Sequence, residues 1–249
     1  MKILLKIRFV GTNYAGYQVQ NNAPTVQGEL CRAAEQLFGK RCDVTGCSRT
    51  DSGVHANMFC AAVTDHGSPG LETTVPTDKI PRAMNAFLPP DIAVVSAEEV
   101  EDRFHPRYDV KSKEYVYLIQ NGGERDPFLA DRSLFYPREL DTEKMNAAAQ
   151  MFVGEQDFAS YMAVGSKVES TVRTIYSASV TRDGDMICFA VSGNGFLYNM
   201  VRIMTGTLLA VGEGKIAPED IPTITASLDR TRAGSTAPAC GLYLNCVEY

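Results

Sequence analysis

The first ten residues, MKILLKIRFV, place apolar side chains at every second position from Ile3 to Phe9, with Lys6 and Arg8 between them. This period of two predicts a β-strand with one buried face. The two charges interrupt the apolar run, so the segment is not expected to be a signal sequence. No other stretch approaches the roughly 20 apolar residues that cross a bilayer, and we expect no membrane partner.

Three other segments carry apolar residues at helical spacing. The run TVQGELCRAAEQLF predicts a helix capped by Thr25, and EKMNAAAQMFVG predicts a second helix. The third apolar stripe extends from Leu197 to Val211 and ends at Gly212 and Gly214. It predicts a long helix.

Short runs rich in β-branched and aromatic residues predict the remaining strands. They lie at 58–63, 92–95, 113–120, 174–181 and 186–192, and in the closing GLYLNCVEY. Asp183-Gly184 between two of these runs is a hairpin signal. Strands and helices occur in both halves, which predicts an α+β fold with a mostly antiparallel sheet. We expect two subdomains, residues 1–104 and 105–249, that share one continuous sheet with the functional cleft between them.

Composition places the chain among ordinary globular proteins. It has 249 residues, of which 45% are apolar and 22% charged. Seven cysteines form no CxxC pair, and without an export signal they predict reduced thiols in a cytoplasmic protein. The three histidines are far apart in the sequence, so we expect no metal site.

The net charge of -6 is unfavourable for a nucleic-acid partner, because phosphate binding depends on Lys and Arg. The segment RFHPRYDVKSK is nevertheless locally basic. It carries Arg103, Arg107, Lys111 and Lys113 against Asp109 alone. This basic strip is a candidate RNA contact, although charge alone favours a solvated loop.

The passage SRTDSGVHA holds the first candidate for chemistry. Arg49 stands two residues before Asp51, with Thr, Ser and Gly around them. A guanidinium beside a carboxylate keeps the acid ionised and nucleophilic. The local alternative is a tight turn whose Asp51 accepts backbone hydrogen bonds.

Two further candidates lie in the second half of the chain. In KEYVYLIQ, Tyr115 shares one strand face with Tyr117, so its ring either stacks on a planar base or packs in the core. In the long predicted helix, Arg202 points away from the apolar stripe that begins at Leu197. It is either solvated or paired with a carboxylate.

Ordered blocks from residue 9 to residue 249 resemble the pseudouridine synthase A family of tRNA-modifying enzymes. The blocks are FVGTNYAGYQVQ, TVQGEL, SRTDSGVHA, NAFLPPDI, FHPRYDVKSKEYVYLI, DFASY, TVRTI, NGFLYNMVRIMTGTLLAVGEGK, AGSTAPACGLYL and VEY. The resemblance covers nearly the whole chain, so a chance match of one motif does not explain it.

The resemblance implies a pseudouridine synthase fold, with two α/β subdomains around a mixed central sheet. It implies an isomerase (an intramolecular transferase) that needs no cofactor and acts on uridines of the tRNA anticodon stem-loop, at positions 38 to 40. Asp51 is then the catalytic aspartate, Tyr115 lies beneath the uracil, and Arg202 pairs with the aspartate. Arg49 helps displace the base, and Leu242 lines the pocket. The resemblance also implies a homodimer. Apart from it, the basic strip supplies Arg107 and Lys113 as the further candidate RNA contacts.

Two rival hypotheses belong to other functional classes. A non-catalytic RNA-binding module would use Tyr115 and the basic strip without changing the RNA. A thiol- or metal-dependent hydrolase would be built on Cys47, His55 and Asp51.

Overall fold

The computed structural model describes residues 1–165 and 168–249. Contacts divide the chain into a first unit, Met1–Lys111 with Leu244–Tyr249, and a second unit, Ser112–Tyr243. The predicted division stood at 104 and 105. The segment that follows 104 belongs to the first unit because it bonds to the last strand: the Tyr249 hydroxyl donates to the Pro106 carbonyl at 2.8 Å, and the Lys111 amide donates to the Glu248 carbonyl at 2.9 Å.

The first unit is an antiparallel sheet with two helices. Its elements are β1 (Lys2–Phe9), α1 (Val26–Phe38), β2 (Cys42–Gly46), β3 (His55–Asp65), α2 (Ile80–Asn85) and β4 (Ile92–Val100). Strand β1 pairs with β4 on one side and with β3 on the other, and β2 pairs with β3. Strand β10 (Leu242–Glu248) begins in the second unit, and its residues from Leu244 onward belong to the first.

The alternation in β1 and the cap of α1 are confirmed. Ile3 and Ile7 are buried, whereas Lys6 reaches outward to Glu98. The Thr25 hydroxyl accepts a hydrogen bond from the Gly28 amide at 3.3 Å, which satisfies one of the amides left unpaired at the start of α1.

The second unit contains the other strands and three helices. They are β5 (Ser112–Gln120), β6 (Leu134–Phe135), α3 (Thr142–Gln150), β7 (Gly154–Asp157), β8 (Val172–Asp183), β9 (Met186–Gly193), α4 (Met200–Gly212) and α5 (Ile221–Ala226). Strands β5, β9, β8 and β7 pair in that order, all antiparallel. Strand β6 runs parallel to β5. The predicted α+β class with a mixed, mostly antiparallel sheet is confirmed.

Helix α4 begins later than the apolar stripe predicted. Leu197 is buried but precedes the helix, because Asn199 has a φ of 59° in the left-handed region. A left-handed residue cannot continue a right-handed helix, so α4 begins at Met200.

None of the seven cysteines forms a disulfide in the described part of the chain. Among the described residues, no helix has the length and apolar character that a membrane crossing requires.

Candidate active site

Asp51 lies half-buried in the loop 47–54, which connects β2 to β3. Its carbonyl accepts a hydrogen bond from the Val54 amide at 3.2 Å, and Gly53 has a φ of 79°. These features form the tight turn that the local sequence allowed. The turn determines where the backbone of Asp51 lies, and it is compatible with a chemical role for its carboxylate.

A second segment, residues 11–17, holds this loop from the side. The Tyr17 amide donates to the Thr50 carbonyl at 3.2 Å, and the Gly53 amide donates to the Tyr14 carbonyl at 3.3 Å. The Ser52 hydroxyl also donates to the Tyr14 carbonyl, at 3.2 Å. Such bonds on both sides of Asp51 restrict its backbone, as a preorganised catalytic group requires.

Two glycines allow the two segments to approach so closely. A Cβ on Gly16 would lie 2.4 Å from the Thr50 carbonyl oxygen, and Gly16 has a φ of +90°. A Cβ on Gly11 would lie 1.9 Å from the Val54 carbonyl oxygen. Any larger residue at either position would push against the backbone of the loop.

Arg49 is exposed and lines a cavity of about 190 Å³ in the first unit, together with Arg107 of the basic strip. The strip does not act as one surface. Arg103 pairs with Glu101 at 2.5 Å, and the Lys111 ammonium donates to the main-chain oxygen of Tyr249 at 2.9 Å. Arg107 is therefore the basic residue of the strip that reaches this cavity.

Tyr115 lies on β5 in the second unit and is buried, with 7% of its surface exposed. Its ring meets Phe196 edge to face, with the centroids 5.0 Å apart. Tyr117 is buried on the same face, as predicted, and burial raises the pKa of its hydroxyl well above the ordinary value. Lys113 is the second residue of the same strand and lies opposite Gly193 of β9.

Arg202 is half-buried on α4, and the interpretation of a solvated side chain is wrong. Its Nε donates to the Ala237 carbonyl at 2.8 Å, and its Nη1 donates to the Asn199 side-chain oxygen at 2.9 Å. The Ala237 amide in turn donates to the Arg202 carbonyl at 3.1 Å. Bonds at both ends of the residue orient the guanidinium.

The segment 233–241 joins these parts of the second unit. A Cβ on Gly206 of α4 would lie 1.7 Å from the Ser235 carbonyl oxygen, so the helix and the segment touch backbone to backbone. The Tyr117 hydroxyl donates to the Pro238 carbonyl at 2.7 Å, beside the carbonyl that Arg202 contacts. Leu242 follows directly and is buried. Strand β5 and helix α4 thus both contact the segment 233–241, and Leu242 follows it in the sequence.

The candidates therefore form two groups, each within one unit. Asp51, Arg49 and Arg107 lie in the first unit, and the remaining candidates, Tyr115, Arg202, Leu242 and Lys113, lie in the second. Sequence reasoning missed Phe196 and Asn199, which contact Tyr115 and Arg202. Both are in the segment NGFLYN, residues 194–199, that precedes α4. Their position immediately before a helix was the available signal.

The hydrolase hypothesis is not supported by the surroundings of its residues. Cys47 and His55 are both completely buried, and the His55 Nδ1 accepts a hydrogen bond from the Gly11 amide at 3.0 Å. A nucleophile or base enclosed in this way does not meet a substrate. In the described ranges, no three His, Cys, Asp or Glu side chains are grouped so that they could hold a metal ion.

Two kinds of comparison with known proteins indicate the same family. A family model described as tRNA pseudouridine synthase matches residues 6–109 and 148–249. Asp51, Arg49 and Arg107 fall in the first match, Arg202 and Leu242 in the second, and Tyr115 and Lys113 lie between the two.

The alignments with three curated relatives cover both proteins almost completely. It is 48% identical over 250 residues to the tRNA pseudouridine synthase A of Ruminiclostridium cellulolyticum, covering 100% of this chain and 99% of that protein. The proteins of that name from Acetivibrio thermocellus and Caldicellulosiruptor bescii are 44% and 42% identical, over 248 and 247 residues, and each alignment covers 99% of both chains.

Proposed function

The chain belongs to the tRNA pseudouridine synthase family, and we propose that it isomerises uridine to pseudouridine in the anticodon stem-loop of tRNA. The observation that carries this proposal is the similarity to enzymes of that name along the full length, at 48% identity. The enzyme is then an isomerase, an intramolecular transferase. On the family resemblance we further assign its targets to the uridines at positions 38 to 40.

The reaction conserves all atoms of the substrate. The bond between N1 and C1′ breaks, the uracil turns, and C5 forms a new bond to C1′ while the C5 proton is lost and N1 gains one. Because the electrons balance within the nucleotide, the reaction needs no redox partner. The protein has to hold the uracil, assist the departure of N1 and remove the C5 proton.

Asp51 is the proposed catalytic carboxylate. Its loop is held by backbone bonds to residues 14 and 17, which supports a preorganised role. An ionised carboxylate assists by attacking C6 of the base, by attacking C1′ of the sugar, or by relaying the C2′ proton toward a glycal. Asp51 serves in each of these routes.

The other roles follow from the family resemblance. Tyr115 lies beneath the uracil and offsets part of the cost of flipping the nucleotide, since stacking on an aromatic ring is worth roughly 1 to 3 kcal/mol per base. Arg202 keeps the catalytic carboxylate charged, and the bonds from its guanidinium to Ala237 and Asn199 support an oriented rather than a mobile side chain. Leu242 lines the uracil pocket.

Three basic residues are the proposed RNA contacts. Arg49 helps displace the target base, and Arg107 and Lys113 bind phosphates. We also propose a homodimer in the cytoplasm. Two copies would provide more phosphate contacts than one copy of a chain with a net charge of -6.

Substitution of Asp51 tests the catalytic assignment. Asp51→Asn removes the charge at nearly constant volume, so we expect at least a ~100-fold loss of turnover with tRNA affinity retained. Turnover is measured as tritium released from tRNA labelled at C5 of uridine, because that proton leaves during the reaction. Asp78→Asn, at an exposed carboxylate beside Lys79 in the same unit, is the matched control and should be fully active.

Near-normal release by Asp51→Asn would remove Asp51 from the mechanism. If the unaltered protein binds tRNA and releases no tritium, the non-catalytic RNA-binding module becomes the better description.

A further inference from the structure

The first unit contains an open pocket beside the Asp51 loop. We call it the Arg49–Arg107 pocket; it has a volume of about 190 Å³, and its wall includes Tyr17, Thr45, Arg49, His105, Arg107 and Tyr108. Arg49 stands two residues from Asp51, a separation of at most about 7 Å along the chain. A molecule in this pocket is therefore within reach of a nucleotide whose base is at Asp51.

The two guanidinium groups make the pocket an anion site. Neither Arg49 nor Arg107 forms an ion pair with a carboxylate anywhere in residues 1–165 and 168–249, whereas Arg32 and Arg103 both do. Two cations that share one cavity without counter-charges favour a phosphate, which accepts hydrogen bonds from both.

An aromatic platform lies beside these charges. The Tyr108 side chain is 75% exposed. Its ring lies over His105, with the centroids 4.2 Å apart and the planes inclined by 30°. The Arg107 guanidinium lies 5.9 Å from the centre of the Tyr108 ring. Exposed rings of this kind beside arginine are what unpaired RNA bases stack upon.

The platform is held rigidly by its own turn. The His105 Nδ1 accepts hydrogen bonds from the amides of Arg107 and Tyr108 at 3.1 and 3.3 Å. The Asp109 carboxylate accepts one from the His105 amide at 2.8 Å, and the Tyr249 hydroxyl anchors Pro106 from below. Because the turn is already ordered, binding a base there costs little conformational entropy.

We propose that the Arg49–Arg107 pocket binds a second, unpaired nucleotide of the tRNA, close in sequence to the target uridine. The base stacks on Tyr108, and its phosphate lies between the guanidinium groups of Arg49 and Arg107. The inference rests on the proposed function, and it adds a nucleotide-reading site that contains neither Asp51 nor Tyr115.

Removing the platform tests the inference. We expect Tyr108→Ala to weaken binding of an unmodified anticodon stem-loop RNA by about 5- to 140-fold, the usual loss when a stacking ring is removed. Tyr108→Phe keeps the ring and should bind within about twofold of the unaltered protein. Affinity is measured by fluorescence anisotropy, with a thermal unfolding curve for each variant.

Phe128→Ala is the matched control, since Phe128 is 91% exposed and lies in the second unit. It should leave the affinity unchanged. An equal loss for Phe128→Ala, or unchanged affinity for Tyr108→Ala, would overturn the proposal.

The phosphate contact is tested by salt dependence. Arg107→Gln should reduce the slope of log K against log salt concentration by about 1, as expected when one phosphate contact is lost. An unchanged slope would overturn the anion site. This readout is independent of Tyr108 and applies even if Tyr108→Ala unfolds.

A crosslink separates this inference from the proposed function. 5-Iodouridine placed next to the target position should crosslink to Tyr108 on irradiation, and a crosslink to Tyr108 from the target position itself would contradict the assignment. If the unaltered protein produces no pseudouridine, the proposed function fails. If it produces pseudouridine while the Tyr108 variants bind and react like it, only the second-nucleotide site fails.

Discussion

Gly16→Ala should damage activity far more than stability, because Gly16 contacts the backbone that carries Asp51. An added Cβ would lie 2.4 Å from the Thr50 carbonyl oxygen and 3.2 Å from the Asp51 carbonyl carbon. The first distance is about 1 Å short of ordinary van der Waals contact, so the loop has to move by about that much. A displacement of ~1 Å at a catalytic group can cost ~100-fold in rate.

The stability effect has a separate cause. Gly16 has a φ of +90°, and a non-glycine residue in that region costs about 1–3 kcal/mol. For a chain of this length each kcal/mol lowers the melting temperature by roughly 2–4 °C. Gly39→Ala measures this conformational cost alone, since Gly39 has a φ of +68° and an added Cβ there would meet nothing within 4 Å.

Both variants are compared by thermal unfolding and by tritium release from C5-labelled tRNA, at a temperature where both remain folded. We expect both variants to lose melting temperature, Gly16→Ala by more because its Cβ also presses on Thr50, and a loss of about 100-fold in turnover for Gly16→Ala alone. Equal turnover in the two variants would refute the claim that segment 11–17 positions the Asp51 loop.

Two further predictions concern stability. Tyr17→Phe removes a buried hydroxyl that has no hydrogen-bond partner in the described part of the chain, and it keeps the ring stacked on Phe59, so the free energy of unfolding should rise by about 1 kcal/mol. Tyr117→Phe loses a 2.7 Å hydrogen bond and should lower the free energy of unfolding. A lower melting temperature for Tyr17→Phe would contradict the reasoning. Lys215 and Arg138 lower the pKa of Glu213 from 4.5 to about 2, so the stability it contributes is complete above pH 4.5 and is lost as the pH falls toward 2. Glu213→Gln should therefore be less stable in urea at neutral pH, with the difference fading between pH 4.5 and 2; a constant difference over that range would disprove the linkage.

The helices and strands were predictable because the sequence signals for them span only a few neighbouring residues. The cap at Thr25, the β-strand face shared by Tyr115 and Tyr117, and the Asp183-Gly184 hairpin depend on neighbours within a few residues. The start of α4 was not predictable from its apolar stripe. Leu197 fits the stripe, yet the left-handed Asn199 stands between Leu197 and the helix.

The surroundings of the candidate residues depend on distant parts of the chain. Arg202 looked solvated because its partner at Ala237 is a backbone carbonyl, which every residue possesses. The turn at Asp51 was visible in the sequence. The contact of this turn with Gly11 and Gly16 was not visible in the sequence, because the close approach of two backbones is marked there only by the glycines themselves.

Net charge was a poor guide to RNA binding for a related reason. Many basic side chains are neutralised locally: Lys6 by Glu98, Lys40 by Asp65 and Arg138 by Glu213. A paired cation contributes little field at a distance, so the total of -6 does not describe the surface that a phosphate meets. What matters is where cations lack a carboxylate partner, and across the described ranges Arg49 and Arg107 do so inside one pocket next to the Asp51 loop. An acidic protein can thus attract RNA to its chemistry while the rest of its surface repels it.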